Sequence, residues 1–211
     1  MVDSPSVVLI GDVVDSRGSH DRAGLHARLV EVLATEAALG IAQDGPAVTV
    51  GDEFQAQYAA LGPALAAAFR IRVTLLPEVD VRVGVGVGEI TVLDDRRGIS
   101  DGPGWWAARE AIEDAESQAR IPGHRTRRTA FRSAVPDRRL DAVNAALECQ
   151  DHLVGLLSPR SLTIVRGLMN GTSQAEVARL LGISPSAVSQ RVRADGVAVI
   201  LSSARLLASL A

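Results

Sequence analysis

The sequence predicts an α+β domain followed by an all-α one. Three observations carry this. Up to about residue 120, short valine-rich runs alternate with stretches of helical periodicity in the order β-α-β-β-α-β. After residue 158 the pattern changes to short helices, punctuated by Gly182 and Ser184-Pro185. Hydrophobic residues make up 47% of the 211 residues but aromatics only 3%, so a real core is built from Val, Leu, Ile and Ala.

Val7 to Ile10 reads as a buried strand. Asp21 to Leu39 carries Leu25, Leu29, Val32, Leu33 and Ala37 at helical spacing. Asp44-Gly45-Pro46 is a turn. Ala47–Val50 and Gln55–Ala59 flank Gly51-Asp52 and read as a hairpin with an acidic tip. Pro63 to Leu76 is a second helix. Val79 to Val92 reads as a strand pair, and Trp105 to Arg120 is a third helix after the loop Asp101-Gly102-Pro103-Gly104. This order is the split βαβ arrangement of ferredoxin-like and polymerase-palm domains. The arginine-rich stretch Arg120–Arg139 reads as a surface segment that returns a strand at Thr129–Arg132, if any. The expected division is residues 1–136 for the first domain, 137–157 for a connecting helix and 158–211 for the helical domain.

Net charge is −3, unevenly spread. From Ser158 onward six Arg face two acids, Glu176 and Asp195, about +4 against about −7 for the rest. A basic tail on an acidic body suits nucleic-acid contact by the tail alone. All 22 basic residues are Arg, so no lysine is available for catalysis or phosphate binding. The single Cys149 excludes an internal disulfide framework or a cysteine-based zinc site. No signal peptide is evident, and no apolar run reaches the roughly 18 residues of a membrane helix. A cytoplasmic protein without membrane partners is expected. His20, His26, His124 and His152 lack ligand-like spacing.

Two acidic clusters stand where strands run into turns: Gly11-Asp12 after Val7–Ile10, and Gly51-Asp52-Glu53 after Val48–Val50. Carboxylates at the ends of neighbouring strands converge on a divalent cation, and Mg²⁺ in turn holds phosphates. Without a cation or base they would repel and shift each other's pKa. Asp12 and Asp52 are therefore the expected Mg²⁺ ligands. Asp15, Ser16 and Arg17 follow with backbone amides and a hydroxyl suited to phosphate oxygens, and Gly51 and Glu53 lie beside Asp52. Arg82 to Ile90 alternates valine with glycine. The bare face admits either a flat ligand or a closely packed helix. Trp105 suits stacking on a purine or a structural contact. Arg109, one turn on, either grips phosphate or pairs with Glu113.

Gly11-Asp12-Val13-Val14-Asp15-Ser16-Arg17, Gly51-Asp52-Glu53-Phe54-Gln55, Arg82 to Glu89, and Asp101-Gly102-Pro103 through Ala108-Arg109-Glu110 resemble the SatD family over roughly the first 120 residues. More distantly the same segments are similar to class III nucleotidyl cyclases and the diguanylate cyclase palm. That likeness implies Mg²⁺ on Asp12 and Asp52, with Glu53 at the second acid of the diguanylate cyclase hairpin and Arg109 at the transition-state arginine. Trp105 stands where those cyclases have asparagine, and their lysine has no counterpart here. Phosphoryl transfer relies on such groups to spread charge, so the resemblance implies binding with little or no turnover and no assigned catalytic residue.

The tail reads as a helix-turn-helix. Leu162, Val165 and Leu168 face inward from a first helix, Gln174 to Leu181 is the second, and Gly182 turns the chain. Ser184-Pro185 caps a third helix whose Ser184, Ser186, Ser189, Gln190, Arg191 and Arg193 suit phosphate and base contacts. It resembles sigma factor region four and related response regulators. Val197 to Leu210 fits a dimerising or docking helix.

The expected function is a nucleotide-responsive DNA-binding transcriptional regulator. It is a homodimer on a palindromic operator, binding a purine nucleotide (GTP, ATP or a cyclic nucleotide) with Mg²⁺. The rival is an active nucleotidyl cyclase or phosphotransferase regulated by its tail.

Overall fold

The structure is a computed structural model that describes residues 5–18, 21–94 and 97–211, and of Arg17 the backbone alone. His20 lies outside these residues.

A five-stranded mixed sheet forms from β1 (Ser6–Val13), β2 (Asp44–Val50), β3 (Glu53–Tyr58), β4 (Val81–Gly88) and β7 (Thr129–Ser133), in the order β2-β3-β1-β4-β7. β1 runs antiparallel to both β3 and β4, β2 antiparallel to β3, and β4 parallel to β7. The described residues also form eight α-helices: α1 (Arg22–Ala37), α2 (Leu61–Leu75), α3 (Pro103–Ala119), α4 (Leu140–Gly155), α5 (Pro159–Met169), α6 (Gln174–Leu181), α7 (Pro185–Ala194) and α8 (Val197–Ala208). None of the described helices is long and apolar enough to cross a membrane.

Alternation along the strands sorts the two faces. Val7, Leu9, Phe54, Ala56, Tyr58, Val83, Val85 and Val87 build the main core with α1 and α2. Val8 and Ile10 face the other way, toward Ala108 and Ile112 of α3. There the glycines of β4 admit the helix. A Cβ on Gly86 would stand 2.2 Å from the Gly104 carbonyl, and one on Gly84 2.2 Å from that of Ala108. Helix packing, rather than a flat ligand, fills the bare strand face.

Two elements differ from expectation. Asp44-Gly45-Pro46 is the start of β2 rather than a free turn, accommodated by a register shift against β3 and a left-handed Gly45. Val79–Val92 is not a strand pair. β4 pairs with β1 and β7, and the chain then leaves the sheet, because the Gly104 amide at the start of α3 takes the Glu89 carbonyl at 3.0 Å. β5 (Thr91–Asp94) pairs instead with β6 (Ile99–Asp101) in a separate ribbon. The segment after Arg120 does return a strand, β7.

The C-terminal helices are joined to the sheet by more than a connector. Phe69 and Val73 of α2 belong to a second core with Ile164, Val165, Val177, Val188 and Ile200, while other α2 residues belong to the first. Val143 and Leu147 of α4 enter the sheet core, and Val154 the helical one. α8 docks on α2 and α4, and the Gly62 amide donates to Leu210 O at 2.9 Å. At the junction Arg72, 4% exposed, reaches Asp151 at 2.7 Å and Asp80 at 3.0 Å. Asp151 also accepts from the Arg128 and Thr129 amides at 2.7 and 2.6 Å.

Two stability outcomes follow. Gly86→Ala drives a methyl into helix backbone and lowers stability by about 2–3 kcal/mol in chemical denaturation. A loss below about 0.5 kcal/mol would mean that α3 can lift off β4. Asp151→Ala leaves the buried Arg72 with Asp80 alone and orphans the Arg128 and Thr129 amides, costing about 3–5 kcal/mol, whereas replacing both by Arg72→Met and Asp151→Leu costs less by the share due to the buried charge. Equal losses for the single and double variants would mean that the pair itself is not what matters.

Candidate functional site

A polar cleft of about 720 Å³ opens at the ends of β1 and β4 and at the β2–β3 turn. Asp12, Asp15, Ser16, Asp52, Glu53, Arg82 and Glu116 line it. Each arrives for a local reason. Asp12 lies next to the end of β1, on the face that α3 leaves open beyond Ile112. Asp15 takes a left-handed turn (φ 54) into a short 3-10 helix, Ser16–Gly18, which brings Ser16 to the cleft. Gly51 supplies the left-handed residue (φ 65) of the two-residue turn between β2 and β3 that presents Asp52.

The expected metal pair is thus brought together. Asp52, Glu116 and Glu53 all act on Asp12 in the same sense. Burial first, and then these three carboxylates, push the Asp12 carboxyl up to about 6 against the opposing pull of Arg82. Arg82, directly across the β1–β4 ladder, donates from Nη1 to both Asp12 oxygens at 3.2 and 3.1 Å. It also stands 4.0 Å from Glu116. Neither Arg82 nor Glu116 was expected here. Their signal was available only through strand register and through the four-residue step from Ile112 to Glu116 on α3.

The other expected residues are distributed as follows. Glu53 lines the cleft, but its carboxylate is taken by Arg109 at 2.8 Å and by Gln55 at 3.1 Å. Arg109 therefore pairs across the sheet with Glu53 and not along its helix with Glu113. Gly51 lies in an adjoining hollow of about 340 Å³ that shares Ser16 and Asp52 with the main cleft. The Arg17 side chain lies outside the described residues. Trp105 is outside the cleft lining. It packs on the Val8–Ile10 cluster and donates from Nε1 to Ser100 at 3.0 Å, holding the β5–β6 ribbon to α3. Trp106 does the same to Asp101 at 2.9 Å.

Hard oxygen donors crowded on a desolvated carboxylate fit Mg²⁺, which keeps most of its waters and takes one or two carboxylates. Among the described residues no larger group of His, Cys, Asp or Glu converges as a metal centre. Among the described residues that line it, five carboxylates face one guanidinium, with Glu53 further paired to Arg109, which leaves the cleft negative. A bare phosphate is repelled from it and a cation is drawn in.

At the far end, Ser158, Ser173 and Ser184 cap α5, α6 and α7, and Ser173 with Glu176 closes a capping box. Gly182 ends α6 in the left-handed region (φ 62). Val188 is buried under α7, while Ser184, Ser186, Gln190 and Arg193 are exposed and Ser189 and Arg191 half-buried. The Ser184 hydroxyl is engaged with Ser186 Oγ at 2.8 Å, and Arg191 lies 3.7 Å from Asp195. By contrast the arginines between α3 and α4 are largely consumed in the body. Arg127 pairs with Asp114 and Glu148, Arg128 with Asp80 and Arg139 with Asp137.

The family model of the SatD family matches residues 6–210, so the likeness runs through the C-terminal helices as well as the sheet. No curated protein matches the chain.

The raised Asp12 carboxyl makes a pH prediction. Its folded pKa lies above the ordinary 3.8, so the proton it holds stabilises the fold fully below about 4, and that contribution is lost as pH rises through about 6. A carboxyl-carbon NMR titration is expected to place the Asp12 midpoint near 6. Asp12→Asn should gain on the wild type in stability from pH 4 to 7. A midpoint at or below 4 would show that Arg82 outweighs burial.

Proposed function

The chain belongs to the SatD family, and from that premise we propose that it is a DNA-binding regulator whose sheet unit takes a purine nucleotide with Mg²⁺. The reading treats β1-α1-β2-β3-α2-β4 as a ferredoxin-like or palm-type unit and α5 to α8 as a helix-turn-helix. The antiparallel neighbours β2-β3-β1-β4 support the first assignment. The capped α6–Gly182–α7 corner with an exposed polar α7 supports the second.

The observation that carries the proposal is the charge of the cleft together with its fusion to those helices. Asp12 and Asp52 would hold the cation, which supplies the positive charge that lets phosphates approach five carboxylates. Ser16, and the backbone amide beside it, would meet a phosphate oxygen. Arg82 has to release Asp12 for this to happen, and Arg109 stays on Glu53. Among the described residues Arg82 of the cleft and Arg109 beside it are both engaged by the protein's own carboxylates, and an engaged guanidinium is less able to stabilise a transferring phosphoryl group. Binding without efficient turnover is the favoured reading.

The test joins both halves. Calorimetry with GTP, ATP and cyclic nucleotides is expected to show binding with Mg²⁺ and none in EDTA, and Asp12→Asn and Asp52→Asn each weaken it by about tenfold or more while the protein stays folded. Operator DNA selected from a random pool should be bound in a salt-dependent manner. Arg193→Ala should weaken that binding, and nucleotide should change its affinity at fixed salt. Unchanged affinity in both carboxylate variants would remove the metal site. Product formation from a triphosphate would favour the cyclase reading instead.

A further inference from the structure

A second cavity lies away from the acidic cleft, on the seam between α2 and the C-terminal helices. Its volume is about 470 Å³, within the range of small-molecule sites, and such sites favour the boundary between packed units. Phe69 of α2, Leu168 and Met169 of α5, and Leu201 and Ala204 of α8 give it apolar walls. Gln174, Ala198 and Ala208 at its rim are exposed, so it is a groove open to solvent and accessible to a ligand.

Its polar edge is made of Gln174, Arg70 and Arg205, and among the described residues no Asp or Glu lines it. Arg70 is spent: its Nε and Nη2 hold the buried Glu36 carboxylate in a two-pronged pair. Arg205 is the unmatched charge. It is exposed, sits one residue from Ala204 on the docked α8, and has no carboxylate partner among the described residues. An apolar chamber with one unpaired guanidinium at its mouth is complementary to an amphipathic anion.

We propose that this seam cavity binds a small amphipathic anion, with its apolar body between α2, α5 and α8 and its carboxylate on Arg205. Val192 of α7 forms part of the lining, so an occupant bears on the inner side of the helix assigned above to DNA. Only this regulatory consequence rests on the DNA-binding reading; occupancy of the cavity does not.

The probe is 8-anilinonaphthalene-1-sulfonate, titrated into the full chain and followed by its emission. A single saturable site is expected. Decanoate should displace the probe, with decanol and decyltrimethylammonium weaker by about tenfold, the worth of a charge-assisted contact. Ala204→Phe fills the chamber and Arg205→Gln removes the charge, and each should weaken binding by about tenfold at unchanged far-ultraviolet circular dichroism. Should Ala204→Phe fail to fold, the exposed Arg205→Gln still decides. Unsaturable emission, wild-type affinity in Arg205→Gln, or equal displacement by decanol would each overturn the proposal. The last outcome would point to an apolar segment of a partner instead. None of these readings depends on Mg²⁺ or nucleotide, so failure here leaves the acidic cleft untouched.

Discussion

The Arg72–Asp151 pair is the contact on which the arrangement of the whole chain turns. One partner is on α2 and the other on α4, and each is almost wholly buried. Two charges withdrawn from water cost several kcal/mol apiece unless they are paired and further hydrogen bonded. Here the remaining capacity is met by Asp80, the amides of Arg128 and Thr129, and the Thr129 hydroxyl. Burial alone pushes the Asp151 carboxyl up, and Arg72 with these donors works against it. Because Asp80 stands just before β4 and Thr129 begins β7, the network fixes where both strands enter the sheet. Such a pair specifies geometry more than it adds stability.

That geometry couples the packing of the sheet to that of the C-terminal helices. α2 turns one face to the strands and another to α5–α8, so neither core closes without it. α2 reaches α7 through α5 and α8, and α4 reaches it through α8.

Much of the fold is legible in the residues. Valine-rich runs mark β1 and β4, and the periodicity of Leu25, Leu29 and Val32 marks α1. The capping serines mark α5, α6 and α7, since these are local signals. Pairing is not local. Nothing around Val92 tells that Thr91–Asp94 leaves the sheet for Ile99–Asp101, because the cause is the Gly104 amide waiting at the Glu89 carbonyl. The site divides the same way. Asp12 and Asp52 announce themselves beside glycines at strand ends. Arg82 reads as one polar member of an alternating strand, and only the register that sets it opposite Asp12 gives it a role. Arg72 and Asp151 had a fainter signal, as charges in otherwise apolar helix faces.

The Asp12–Arg82 contact sets the terms on which the proposed cation would bind. Arg82 already supplies Asp12 with a positive neighbour, so a cation would gain only the difference between its own attraction and the lost ion pair. Burial and three other carboxylates nevertheless push the Asp12 carboxyl up against the pull of that guanidinium. In the proposed reading a divalent ion with retained waters would relieve that deficit, by meeting Asp12 and Asp52 at once where Arg82 meets only Asp12. Release of Arg82 would then free a guanidinium 4.0 Å from Glu116 on α3. A change of partner at the cleft is thereby passed to the helix that lies along β4. β4 is paired with β7, whose first residue is held by Asp151, so the acidic cleft and the buried junction sit on one continuous stretch of paired backbone.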